Sequence, residues 1–174
     1  MSIADDIKGN GVILFTTSKD KYNESLSNIQ PEVEKSVNKI AYVTINKPFN
    51  SILQDMHSRG LNTGKFFFID AITATVQSPP AVDNCIFVTS PTALTDIGLA
   101  FSSALSEHGC DLVFFDTIST LIVYQEIGSV IKFVHNLITK VRVLNKKLVL
   151  LALKEDSENL IKDLNMFVDK IIEV

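Results

Sequence analysis

Seven short apolar runs constrain this chain more than any other feature. They are GVILFTT (11–17), KIAYVTI (39–45), KFFFID (65–70), CIFVTS (85–90), DLVFFD (111–116), KLVLLAL (147–153) and VDKIIEV (168–174). β-Branched and aromatic residues fill them, and most do not alternate apolar with polar. A strand with one wet face alternates; a strand covered on both faces does not. These runs therefore predict parallel strands sandwiched between helices.

Helical periodicity lies between them. From 125 to 145, Ile127, Val130, Ile131, Val134, Leu137, Ile138, Val141 and Leu144 recur every three or four residues and line one face. A second helix is expected from Ser90-Pro91, through Leu94, Ile97 and Phe101, to just before Gly109. A third follows Pro48 and ends at Gly60. Weaker patterns span Lys19 to Ile29, closed by Pro31, and residues 157–165. Residues 71–84, with Pro79-Pro80, read as a loop. Strand and helix in alternation predict an α/β fold of three layers, a mostly parallel twisted sheet with helices on both faces. The last strand follows a short connection and is expected to run antiparallel at an edge.

The chain has 174 residues, of which 46% are hydrophobic, enough for a packed core and consistent with one domain over 1–174. The formal charge of -4 argues against nucleic-acid binding, which needs a basic face to displace counterions. The start, MSIADDIKGNG, lacks the basic and apolar regions of a signal peptide, and no apolar stretch is long enough to span a bilayer. Cys85 and Cys110 form no CxxC pair and read as reduced core thiols, so a cytoplasmic protein is expected.

In a parallel sheet the strand carboxyl ends open onto a common crevice, where ligands bind. The residues there are Thr16, Thr17, Ser18, Asn46, Lys47, Asp70, Thr89, Ser90, Asp116, Thr117, Ser119, Lys154 and Glu155. Asp70 and Asp116 each end a buried strand; such a carboxylate either holds Mg²⁺ or caps the next turn, and capping is the reading preferred here. His57, His108 and His135 lie far apart and match no metal motif; GxSxG and GxGxxG are absent.

The order of segments resembles the RecA-like ATPases, and within them the KaiC-like group, over residues 9–174. CDLVFFDTIST resembles that family's second nucleotide motif. KIAYVTINKPFNSILQDMHSRGLNTGKFFFIDAIT resembles its second strand, helix, glycine turn and third strand, and VDKIIEV its closing strand. The resemblance implies a phosphate loop of the form GxxxxGK followed by serine or threonine after the first strand. TTSKDKYNES stands there instead, with Lys19 but no glycine. Side chains with a Cβ resist the positive φ values such a loop adopts, and Asp20 and Glu24 bring negative charge to the triphosphate's place. The family's water-activating glutamates are replaced by Asn46-Lys47.

The sequence is thus read as a degenerate member, a non-catalytic module acting by regulatory or protein–protein contact. A protein partner or self-association is expected, with loop 71–84 as one contact surface and no cofactor. The alternative is a nucleotide- or small-anion-binding protein, an enzyme of another kind, using Thr16, Thr17, Ser18 and Lys19 as donors at a helix start. Asp116 would then be the metal ligand, with Mg²⁺ and nucleotide as cofactors.

Overall fold

The computed structural model describes all residues, Met1–Val174. In chain order the elements are α1 (Ile3–Gly9), β1 (Val12–Thr17), α2 (Tyr22–Ser36), β2 (Ile40–Thr44), α3 (Phe49–Ser58), β3 (Phe66–Asp70), β4 (Cys85–Phe87), α4 (Leu94–Ser106), β5 (Leu112–Asp116), α5 (Ile118–Tyr124), α6 (Ile127–Val143), β6 (Lys147–Leu153), α7 (Lys154–Leu164) and β7 (Lys170–Glu173). The strands form one sheet in the order β4-β3-β2-β5-β6-β1-β7. Every pair in it is parallel.

The central strands are buried along their whole length, as their non-alternating sequences require. Successive side chains enter opposite layers. Ile13, Phe15, Tyr42, Phe68 and Phe114 face α1, α2 and α3. Val12, Leu14, Val43, Val113 and Phe115 face α4 to α7. The two layers form separate apolar clusters on either side of the sheet.

The final strand corrects an expectation: β7 runs parallel to β1, pairing Ile13 with Lys170 and Thr16 with Glu173. The connection is a crossover: a helical turn at 154–156 precedes a kink at Ser157, and the helix expected from there runs on to Leu164. The 11 residues together return the chain alongside the sheet, so the next strand points the same way. Two helix limits also differ. Pro31 lies inside α2, where Leu26, Ile29 and Val33 keep the helix docked past the missing hydrogen bond. Ser90 caps a turn before α4, its Oγ accepting from Thr92 N at 3.1 Å, and the helix begins at Leu94. Helices α1 and α5 were not foreseen. Gly60 and Gly109 take positive φ just beyond α3 and α4, as helix-terminating glycines do.

Candidate functional site

The crevice is bounded by the carboxyl ends of β1, β2, β5 and β6. Thr16 and Thr17 end β1 and, by the strand's alternation, face opposite layers, so they do not act together. Thr17 is fully buried and its hydroxyl is 2.7 Å from that of Ser25 on α2. Thr16 offers its backbone carbonyl to Val174 N at 2.9 Å. Ser18 precedes a single 3-10 turn, Lys19–Lys21, that leads into α2.

Lys19 is engaged at both ends. Its backbone N–H donates to the two carboxylate oxygens of Glu155, each at 3.1 Å. Its ammonium lies 2.7 Å from Asp156. The hydrogen bond it donates to Asp156 holds the Lys19 amine above its ordinary range. Two carboxylates from the first turn of α7 therefore sit against the strand-to-helix bend. Ser157, at a kink in that helix, is anchored through its hydroxyl to Ser119, which also accepts from Leu153 N at 2.7 Å.

Asp116 lies on the other side of the bend, in the α2–α3 layer. It is 2% exposed, and burial pushes its carboxyl above the usual range. Two phenols oppose that shift: Tyr22 donates to one oxygen at 2.6 Å and Tyr42 to the other at 2.5 Å. Burial and the nearby carboxylate hold both phenols well above their ordinary values, so they remain donors. Gln30 donates to the Tyr42 oxygen at 3.1 Å and accepts from Arg59, which pairs with Asp55 at 2.8 Å. The network Arg59–Gln30–Tyr42–Asp116–Tyr22 thus joins β2 and β5 to α2 and α3. It borders a cavity of about 150 Å³ that Lys47, Ser51 and Asn23 also line. The Asp116–Thr117 peptide bond is cis.

Asp70 caps, as the sequence reading preferred. It accepts from Phe49 N at 2.9 Å, Ile72 N at 2.8 Å, Thr73 N at 2.9 Å and the Thr73 hydroxyl at 2.6 Å. Asn46 accepts from the Thr120 hydroxyl, and Thr44 closes the following turn by donating to Lys47 O at 2.6 Å. Lys154 pairs with Glu173. His108 stacks on Phe67 and His135 on Phe167. No group of three or more His, Cys, Asp or Glu side chains is placed to hold a metal ion.

Of the five residues expected at an anion site, the fold brings Thr17, Ser18 and Lys19 to one bend, turns Thr16 to the other layer, and commits Asp116 to tyrosines. Sequence reasoning missed the partners Tyr22, Tyr42, Gln30 and Arg59. One signal was available: Tyr42 is the one phenol in a strand otherwise suited to full burial, and a buried phenol needs a partner.

No curated protein matches the sequence. Among solved structures the chain is similar to the flagellar accessory protein FlaH from Methanocaldococcus jannaschii, with a TM-score of 0.59 and 12% identity over 94% of this chain and 70% of that one. At that identity the likeness is one of fold, and it makes this an α/β domain of RecA-like architecture. A family model matches residues 14–174, and the chain belongs to that family, the family of unknown function DUF7504.

Proposed function

We propose that this chain is a non-catalytic RecA/KaiC-like domain that works in the cytoplasm as a regulatory or protein-interaction module and does not hydrolyse ATP. The observation that carries this reading is the clasp of Lys19 by Glu155 and Asp156. In a phosphate loop the backbone N–H groups and the lysine point at the polyphosphate. Here the corresponding amide and ammonium are held by carboxylates of the chain itself. A phosphate entering beside Glu155 would meet a like charge, costing about 4 kcal/mol at 4 Å and an effective dielectric near 20.

Two further features support it. Asp116, the one acidic residue kept from the nucleotide motifs, has both oxygens bonded to phenols. Where the resemblance places water-activating glutamates, Asn46 accepts from the Thr120 hydroxyl of α5 and Lys47 is held by its backbone carbonyl in the turn after β2. Titration calorimetry with ATP and Mg²⁺, alongside a phosphate-release assay, tests the reading. No heat of binding and no phosphate release are expected; micromolar affinity with turnover would overturn it.

A further inference from the structure

Between Lys65 and Lys132 the chain has no lysine or arginine, a gap of 66 residues in which about six would occur at the chain's average frequency. The gap holds seven acids. Asp70 and Asp116 are buried in the networks above, and Asp111 lies 3.9 Å from Lys146. The other four, Asp83, Asp96, Glu107 and Glu126, are exposed and make no ion pair.

Within this segment β5 lies at the centre of the sheet, while β4 and α4 form one border of the molecule. β4 is the edge strand, and α4 lies beside it with a groove of about 330 Å³ between them, bordered by Phe87, Asp96, Leu99 and Ser103. Ser103 in turn bonds Glu107. A second groove, of about 260 Å³, separates α4 from α6. Gln125, at the α5–α6 corner, donates to Thr92 O at 3.0 Å, which holds that corner against the turn before α4. Large apolar side chains stand out along this path: Leu99 is 63% exposed, Val123 75% and Tyr124 46%. Lys140, whose ammonium donates to Gly98 O at 3.2 Å, marks the far border on α6.

We infer that the β4–α4 groove and the α5–α6 corner form a docking surface for a partner protein segment that presents apolar anchors flanked by lysine or arginine. The inference rests on reading the chain as a protein-interaction module and names that module's partner by its charge. Exposed apolar residues ringed by uncompensated acids are complementary to such a segment. A second copy is a poor occupant, because a two-fold contact through this face would bring two acidic surfaces together, with the four acids of each drawn from a segment that has no lysine or arginine to pair them. Nucleic acid and anionic membrane are repelled for the same reason.

The test is a titration of the isotope-labelled full chain, followed by amide NMR shifts, with a synthetic amphipathic peptide of leucine and lysine. The same peptide with glutamate for lysine serves as control. Shifts are expected at Phe87, Leu99, Tyr124 and Ile127 with the lysine peptide alone, and binding should weaken at least about five-fold from low to high salt. Asp96→Asn with Glu126→Gln should weaken it without changing the melting temperature, and Leu99→Ser should weaken it at any salt. Shifts confined to another face, equal binding of the glutamate peptide, or light scattering that reports a dimer burying this face would overturn the assignment. None of these outcomes bears on ATP turnover, so failure here and failure of the non-catalytic reading remain distinguishable.

Discussion

Replacing Tyr42 by Phe removes one oxygen from the centre of the buried network while keeping the ring. Two bonds disappear: the 2.5 Å donation to Asp116 and the acceptor for Gln30. A hydrogen bond to a charged group contributes about 1.5–3 kcal/mol, and a buried amide left without an acceptor adds about 1 kcal/mol. The expected loss at neutral pH is therefore about 2–4 kcal/mol, or a fall in Tm of roughly 5–15 °C for a domain of this size. The loss should also depend on pH, with a definite sign. Burial raises the Asp116 carboxyl above its ordinary value of 3.8 in the folded state. An acid so raised binds its proton more tightly when folded, so its contribution is most favourable below the ordinary value and is lost as pH rises through the raised one. Tyr42 counters that rise by donating to the anion. Without it the carboxyl moves further up, and the deficit of the variant relative to the parent widens with pH. Urea unfolding of both proteins at about pH 4 and about pH 8, followed by circular dichroism, measures the difference. A loss below about 0.5 kcal/mol, or one equal at the two pH values, would refute the account of Asp116 as a carboxylate held by phenols.

Asp70→Ala should destabilise the domain by about 3 kcal/mol, since four donors at the β3 terminus, among them the first amide of α3, lose one shared acceptor; thermal melts check it, and a change under about 1 kcal/mol would contradict the capping role. Burial pushes the Cys85 thiol up to about 12 and the Cys110 thiol up to about 11. Neither should react with a disulfide reagent in the native protein at mildly alkaline pH, while both should react at once in denaturant; absorbance of the released thiolate counts them.

The sheet was legible because burial on both faces leaves a mark in each strand that needs no knowledge of its neighbours. Strand direction leaves none. The direction of β7 depends on whether 154–164 carries the chain back along the sheet, and the polar, charged start of that segment, with its kink at Ser157, hides its period. Short helices such as α5, with seven residues, offer too few turns for periodicity to register. At the crevice, the composition of the β1–α2 bend was visible, including the lack of glycine. The groups that occupy it were not, because Glu155 lies 136 positions from Lys19, and Tyr22 lies 94 from Asp116. Such contacts exist only once the sheet has brought distant segments together.

The position of β1 has a consequence for how the molecule assembles. Its two neighbours are β6 and β7, so every rung it makes joins residues more than 130 apart. An apolar ribbon drawn from the first tenth of the chain can find its place only after the last fifth has been made. Pairing β1 with β6 and β7 closes loops of more than 130 residues, and such long-range closure slows folding. Until those strands arrive, the VILFTT segment lacks its sheet partners and is open to misassociation.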